Sequence, residues 1–443
     1  MMWCTIRSQS SLFCVVIINL IVNCWCKSPE TRRLGGPVNT VGLNGLWPSR
    51  GPGLHYDLVP SADLRPIVLI PGDGGSQLDA KIDKPEVVHY FCQKKSSDYF
   101  NLWLNLADLV PFVVDCWVDN MRLVYDNVTR KTSNPPGVVT RVPGFGNTTT
   151  VEYVDPSQVS VSGYFNQLAK VMVEMGYSRG SNILGAPYDF RKAPNEMDEY
   201  YKNFKDMIES TYKKTGQRLV LICHSMGCPV TLYFLNNQSQ DWKDLHIGSL
   251  ISLAGAWGGA IKALKAFTSG DNLGVIVIPA LKVRKDEQTF PSLAFLMPSD
   301  KFWSPDEVIM TTSEMNVTTS NYEQFFNLIN NPIGFEMWKD VHNLIYDLTP
   351  PGVEVHCLHG TGIDTMEFLD YRNVKFPDHQ PKITFGNGDG TVNEKSLKGC
   401  LRWEGQQKQR VFYKQFNKID HMSILSDPLV IQYIRSVVNR EAN

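Results

Sequence analysis

The sequence has little net charge of either sign. Its 443 residues include 43 Lys and Arg against 45 Asp and Glu, giving a formal charge of −2. Binding of nucleic acid needs a basic surface, so this balance excludes a general electrostatic basis for it, and any lipid contact must come from local apolar surface. The sequence also lacks convincing metal-ligand spacing and a glycine-rich phosphate loop, so we expect no metal and no cofactor. It has no internal repeat and no low-complexity tract.

The N-terminal apolar run is too short for a standard spanning helix. It covers residues 12–26, follows Arg7 and precedes a polar segment, whereas a membrane span needs about 20 residues. This layout predicts a secretory signal peptide over 1–26, with a signal anchor as the alternative. The Gly- and Pro-rich residues that follow predict an extended leader over 27–65.

Short apolar runs alternate with helical patterns in the rest of the chain. Runs of the buried, parallel type predict strands at 66–70, 218–223, 248–253, 354–359 and 411–416. A helix is predicted over 226–236, whereas 260–345 is helical and irregular, typical of a cap or lid. The alternation predicts an α/β fold with a mostly parallel sheet.

Ser225 lies between a predicted strand and a predicted helix, the context of a nucleophile elbow. The turn is sharp, so the positions two before and two after the serine must be small. Gly227 meets this requirement, and Cys223 replaces the usual first glycine with another small residue. The alternative interpretation is an ordinary serine N-cap.

A serine nucleophile needs a base, and the base needs an orienting acid. In α/β hydrolases the chain order is Ser, acid, His, which selects His421, in the loop after the last strand, as the base. Asp389 lies between glycines after a late strand and is the predicted acid. Asp420 is a competing candidate, although sequence neighbours seldom orient one another's side chains. We expect His224 to point away from the site and to be structural.

The negative charge that develops on the attacked carbonyl oxygen needs preset donors. The backbone N–H of Met226 is one candidate, and the loop Gly72-Asp73-Gly74 should supply the second. An ionised Asp73 would oppose an oxyanion, whereas a protonated one would be tolerated. We therefore expect activity to be greatest at acidic pH.

The cysteines and glycosylation sequons indicate a secretory route. Of ten cysteines, four lie in or beside the predicted signal. Cys223 and Cys228 flank Ser225, where disulfide geometry would be awkward, and we interpret them as small core residues. Natural pairing of the other four would be Cys92 with Cys116 and Cys357 with Cys400, although sequence leaves the connectivity open. Sequons begin at Asn127, Asn147, Asn237 and Asn316.

Longer motifs resemble the lecithin–cholesterol acyltransferase and lysosomal phospholipase A2 family from about Pro66 to the C-terminus. They include residues 83–89, 114–120, 141–146, 186–191, 242–244, 257–259 and 388–392. The elbow His-Ser-Met-Gly and the aspartate at position 73 resemble the lysosomal branch. Two features depart from the family: Cys223 replaces Ala or Gly, and Gly74 and Ser76 replace Leu and Asn.

The resemblance implies an α/β-hydrolase fold with an inserted membrane-binding subdomain and a cap. The implied layout is a core of 66–84, 126–257 and 346–443, a membrane-binding subdomain of 85–125, and a cap and lid of 258–345. The implied site residues are the triad Ser225, Asp389 and His421, the oxyanion residues Asp73 and Met226, the nearby Lys262, the disulfides Cys92–Cys116 and Cys357–Cys400, and the membrane contacts Leu102, Trp103, Leu104 and Phe112.

The implied function is a calcium-independent phospholipase A and O-acyltransferase of the lysosomal lumen or the exterior. It would act as a monomer on a phospholipid membrane or lipoprotein surface, with a lipid alcohol such as ceramide as acceptor. The alternative within the family is a secreted phosphatidylcholine–sterol acyltransferase. A lipid-binding protein without catalysis and a general carboxylesterase are alternatives from other classes.

Overall fold

The computed structural model describes residues 64–105, 108–109, 113–272 and 279–439. The predicted signal peptide, the leader as far as residue 63, and Phe112 lie outside these residues. Among the described helices, none combines the length and apolar character needed to cross a membrane.

The described residues form fifteen strands, numbered in chain order: Ile67–Ile70 (β1), Leu78–Ile82 (β2), Phe100–Trp103 (β3), Val124–Asp126 (β4), Lys131–Ser133 (β5), Val138–Arg141 (β6), Ile183–Gly185 (β7), Leu219–His224 (β8), Ile247–Leu253 (β9), Met310–Thr311 (β10), Asn316–Val317 (β11), Val355–Thr361 (β12), Ile363–Asp370 (β13), Lys382–Gly388 (β14) and Val411–Asn417 (β15). The α-helices in the same residues are Val114–Met121 (α1), Thr149–Glu152 (α2), Asn166–Glu174 (α3), Asp198–Thr215 (α4), Gly227–Asn236 (α5), Gln240–His246 (α6), Ile261–Ser269 (α7), Ala280–Glu287 (α8), Pro291–Phe295 (α9), Tyr322–Leu328 (α10), Pro332–Val341 (α11), Glu394–Leu397 (α12) and Pro428–Val438 (α13).

A parallel sheet of six strands lies at the centre of the described chain, in the order β15-β12-β9-β8-β1-β7. Each neighbouring pair in it is parallel. Strands β1, β7 and β8 are buried along their whole length, as expected for apolar strands inside such a sheet. The predicted α/β class and mostly parallel sheet are confirmed.

The register of the central strands determines where the turn at Ser225 lies in the sheet. Cys223 pairs with Ile70 on β1 and with Ser252 on β9, so Ser225 follows the middle of the sheet at its carboxyl edge. Ligand sites of open α/β sheets lie outside this edge. Helix α5 begins directly after the elbow, and its apolar residues are buried.

Smaller sheets surround the central one, and sequence reasoning missed most of their strands. One has the order β3-β2-β6 and another the order β11-β10-β13-β14. The first sheet joins β3, inside the predicted subdomain 85–125, to two strands outside it. The second joins β10, in the predicted cap, to the hairpin β13–β14. The domain boundaries therefore stay predictions.

Three disulfides are present in the described residues. Cys92–Cys116 and Cys357–Cys400 are the two pairs implied by the family resemblance. The third joins Cys223 and Cys228, with their Cα atoms 5.0 Å apart, so our interpretation of these two cysteines as unpaired core residues was wrong. Because the elbow turns the chain sharply, the end of β8 and the first turn of α5 come close enough for a bond that sequence spacing did not suggest.

The predicted membrane-contact residues need a correction. Leu102, Trp103 and Leu104 are 0%, 6% and 8% exposed, and therefore belong to the core. The indole N–H of Trp103 donates to the carbonyl oxygen of Gly74 at 2.7 Å, and its ring packs on Trp117. Pairing of β3 with β2 turns this apolar stretch inward, so in this structure it meets protein instead of lipid.

Candidate active site

The turn at Ser225 has the strained geometry of a nucleophile elbow. Ser225 has φ of 53°, in the left-handed region that non-glycine residues rarely adopt. Its N–H donates to the carbonyl oxygen of Leu253 at 3.0 Å, which ties the turn to β9. A Cβ on Gly227 would lie 2.2 Å from the carbonyl oxygen of Pro71, so this position accommodates only glycine.

The structure brings Ser225, His421 and Asp389 together. Ser225 Oγ lies 2.9 Å from His421 Nε2, and His421 Nδ1 lies 2.7 Å from Asp389 Oδ2. All three residues are buried. His421 follows β15 and Asp389 follows β14, so three separate segments supply the arrangement. These distances allow the imidazole to take a proton from Ser225 while the carboxylate holds its tautomer.

The carboxylate of Asp389 has further partners that fix its position. Its Oδ1 accepts hydrogen bonds from the N–H groups of Thr391 and Val392, at 3.0 and 2.8 Å. Burial by itself would raise its pKa, but the His421 imidazole and these N–H groups together lower the pKa below its ordinary value. Asp389 therefore stays ionised and can stabilise an imidazolium.

The competing acid, Asp420, faces its own loop. Its Oδ1 accepts from the N–H groups of Met422 and Ser423, both at 3.0 Å. These are local turn contacts of the kind that aspartate commonly makes. Among the contacts of the described residues, none joins its carboxylate to the His421 ring, so the geometry favours Asp389 over Asp420.

Two backbone N–H groups beside Ser225 are open to a ligand. Within the described residues, neither the N–H of Asp73 nor that of Met226 has a hydrogen-bond partner. The loop that carries Asp73 packs tightly on the nucleophile, since a Cβ on Gly72 would lie 2.7 Å from Ser225 Cβ. This arrangement can bind the oxyanion of an acyl intermediate.

The carboxyl group of Asp73 has a raised pKa. Its pKa is raised to about 7, chiefly by desolvation, while the nearby ammonium of Lys262 lowers it and the carboxylate of Asp271 raises it. Lys262 Nζ also lies 3.4 Å from Asp271 Oδ1, so the predicted lysine lies near the site. Asp73 as a whole residue is exposed.

His224 departs from its predicted placement. It does not point away from the site: its ring centroid lies 4.7 Å from that of His421, and its Nε2 lies 2.9 Å from the carbonyl oxygen of His421. Tyr164, which sequence reasoning missed, contacts the other nitrogen of His224. No local sequence signal marks Tyr164, because it lies on the approach to α3, far from any motif of the site. His356 and His359 are buried in β12.

A parallel sheet, a serine at a strand-to-helix turn, and a histidine and aspartate beside it define the α/β-hydrolase class of acyl-transfer enzymes. Within the described residues, no cluster of His, Cys, Asp and Glu could hold a metal ion.

Comparison with known proteins places the chain within this class. The family model for lecithin:cholesterol acyltransferase matches residues 99–428. The chain is 44% identical over 380 residues to the Homo sapiens lysosomal phospholipase A and acyltransferase, covering 86% of this chain and 92% of the relative. It is 42% identical over 390 residues to the Gallus gallus phosphatidylcholine-sterol acyltransferase, covering 88% and 93%. The chain belongs to the lecithin:cholesterol acyltransferase family.

Proposed function

We propose that the protein is a phospholipase A and O-acyltransferase that cleaves an acyl ester of glycerophospholipids through Ser225. The observation that carries this proposal is the hydrogen-bonded line from Ser225 Oγ through His421 to Asp389. The 44% identity to enzymes named lysosomal phospholipase A and acyltransferase supports the lipid substrate.

The proposed reaction proceeds in two steps. Ser225 Oγ attacks the ester carbonyl while His421 Nε2 takes its proton and then passes it to the leaving lysophospholipid oxygen. The N–H groups of Met226 and Asp73 bind the oxyanion. In the second step His421 activates water or a lipid alcohol such as ceramide, which attacks the acyl-enzyme and releases Ser225.

Product analysis with Ser225→Ala tests the proposal. The enzyme is incubated with phosphatidylcholine liposomes that contain ceramide. The pH is about 5, which is near the ordinary pKa range of carboxyl groups. We expect lysophospholipid and acylceramide from the wild type, and at least a thousandfold loss with the variant, on the order seen for other serine triads. Ser249→Ala is the matched control, because this buried hydroxyl on β9 has no hydrogen-bond partner in the part of the chain that the structure describes. Unchanged activity of Ser225→Ala would overturn the proposal.

A sterol acyltransferase is the second candidate, favoured by the 42% identity to the phosphatidylcholine-sterol enzyme. Liposomes that contain ceramide and cholesterol in equal amounts separate the two. We expect acylceramide to exceed cholesteryl ester, and the reverse ratio would favour the second candidate. A chelator added to the same assay tests the expected independence from calcium.

The protein works in the lysosomal lumen or outside the cell, and two buried carboxyls fit an acidic setting. Burial raises the pKa of both Asp286 and Glu287 on α8 well above the ordinary value. Between the ordinary and the raised pKa the folded state binds more protons than the unfolded state, so stability falls as pH rises through this range. The four sequon residues Asn127, Asn147, Asn237 and Asn316 are exposed, which supports their proposed glycosylation.

The proposed membrane contact moves from the buried strand β3 to the exposed tip that precedes Cys92. Tyr90 is 97% exposed, while Val88 and Phe91 are each 50% exposed. The Cys92–Cys116 disulfide attaches this tip to α1. Aromatic side chains of this kind favour the headgroup region of a bilayer. We place the membrane contact here, within the predicted subdomain 85–125, and the cap in residues 258–345.

A further inference from the structure

A continuous line of hydrogen bonds connects Gly72 to His421 without including Ser225. The N–H of Gly72 donates to the hydroxyl oxygen of Tyr164 at 2.9 Å. The Tyr164 hydroxyl is hydrogen-bonded to His224 Nδ1. His224 Nε2 is in turn 2.9 Å from the carbonyl oxygen of His421. Tyr164 is 6% exposed and His224 is 1% exposed, so water does not compete for these bonds.

The direction of each hydrogen bond follows from the groups at the two ends. The His421 carbonyl can only accept, so His224 Nε2 carries the proton and Nδ1 of the neutral ring is an acceptor. Desolvation, with His421 nearby, lowers the pKa of His224 to about 3, so the ring is neutral at working pH. Tyr164 therefore donates to His224 and accepts from Gly72. Burial raises the pKa of Tyr164, which keeps its proton in place.

The line of hydrogen bonds joins the two parts of the site that must both act on the ester carbonyl of the substrate. Its first residue, Gly72, directly precedes Asp73, the proposed oxyanion donor, and its own N–H is already used by Tyr164. Its last group is the backbone of His421, the proposed base. A fully satisfied buried network fixes the separation of the segments that it joins.

We propose that Tyr164 and His224 are positioning residues that hold the His421 backbone and the Gly72–Asp73 loop at the separation that acyl transfer requires. This inference rests on the proposed function, because it assigns the base and the oxyanion donor to these segments. Neither residue touches the reacting atoms. An error of about 1 Å in such positioning can cost a hundredfold in rate.

Three substitutions interrupt the line at different points. In His224→Gln the amide nitrogen lies near the former Nε2, so the bond to the His421 carbonyl can persist. In His224→Asn the shorter amide lies near the former Nδ1, so the contact with Tyr164 can persist while the His421 carbonyl loses its donor. Tyr164→Phe removes the shared hydroxyl. Tyr177→Phe is the matched control, because it deletes a buried hydroxyl that donates to the Arg65 carbonyl, away from the site.

The test measures kcat and KM for p-nitrophenyl butyrate together with the melting temperature of each variant. We expect kcat to fall about 10- to 100-fold in His224→Asn and about 10-fold in Tyr164→Phe, with KM changed less than about threefold. His224→Gln should recover most of the kcat lost in His224→Asn, which a purely structural role would not produce.

Folded His224→Asn and Tyr164→Phe variants with the kcat of Tyr177→Phe would overturn the inference. If His224→Asn does not fold, Tyr164→Phe decides the matter by the same criterion. Ser225→Ala, assayed alongside, separates the two proposals. Its loss of activity with normal kcat in folded positioning variants refutes only the inference, whereas its retained activity refutes the proposed function.

Discussion

At the scale of single residues, Asp73 has the charge state that matters most to the proposed mechanism. Its N–H has no hydrogen-bond partner among the described residues and can bind an oxyanion, while the same residue also carries a carboxyl. Desolvation raises its pKa to about 7, so the carboxyl is protonated in acid and ionised above that pH. Since an ionised carboxylate repels an oxyanion, the raised pKa gives the sequence-based expectation of acidic activity a structural cause.

Asp73→Asn should remove this pH dependence. We expect wild-type kcat/KM to fall as pH rises through about 7, to about a tenth at one pH unit above it, because only that fraction stays protonated. The asparagine variant should keep at least about half of its activity over the same range, since it is always neutral. The measurement is a pH–rate profile on a soluble ester, with the exposed Asp98→Asn as control. A variant profile that falls in parallel with the wild type would contradict the prediction.

At the scale of elements, the junction of β8 and α5 is held in three ways. Ser225 donates to Leu253 on β9, Gly227 packs against the Pro71 carbonyl, and Cys223 is bonded to Cys228. The disulfide encloses Ser225 in a short loop, whereas the other two disulfides join segments that are 24 and 43 residues apart. Their effects on stability should differ accordingly.

Removing each disulfide by double alanine substitution should rank their contributions. Loop-closure entropy gives about 2 kcal/mol for Cys223–Cys228, and about 3 and 4 kcal/mol for Cys92–Cys116 and Cys357–Cys400. We therefore expect the smallest loss of unfolding free energy from the bond beside Ser225. Urea denaturation of the three variants measures this order. A larger loss from Cys223→Ala/Cys228→Ala than from the other pairs would show that the bond does more than close a loop.

At the scale of the whole molecule, the central sheet and the proposed membrane contact at Val88, Tyr90 and Phe91 are built from different segments of the chain. The site is built at the carboxyl edge of the sheet, whereas Tyr90 and Phe91 project beside a disulfide and an exposed lysine, Lys94. Under the proposed function, hydrolysis of a soluble ester needs only the site at the sheet, whereas hydrolysis in a liposome needs the membrane contact as well.

Tyr90→Ser/Phe91→Ser should separate the two requirements. We expect liposome binding to weaken about 10- to 100-fold, from the loss of apolar area that would enter the bilayer. Hydrolysis of p-nitrophenyl butyrate should be unchanged. Sedimentation with phosphatidylcholine vesicles measures the binding, and Val161→Ser, which removes another exposed apolar side chain, is the control. Unaltered vesicle binding would place the membrane contact elsewhere.

The sequence by itself determined the class of fold and selected Ser225, Asp389 and His421. Buried strands leave continuous apolar runs, a sharp turn demands small neighbours, and chain order limits the choice of acid and base, so these signals are local or ordered along the chain. An apolar run does not show whether its side chains face the protein core or a membrane. For this reason Leu102, Trp103 and Leu104 were wrongly assigned to the membrane.

Only the tertiary structure decided which groups surround the triad. The hydrogen bonds from Gly72 to Tyr164, from Tyr164 to His224 and from His224 to His421 join residues 92, 60 and 197 positions apart. The bond between Cys223 and Cys228 depends on the sharpness of the elbow, and the raised pKa of Asp73 depends on desolvation and on the nearby charges of Lys262 and Asp271. Contacts of this kind exist only once the sheet has brought distant segments together, because hydrogen bonds and desolvation act over a few ångströms of space and not along the chain.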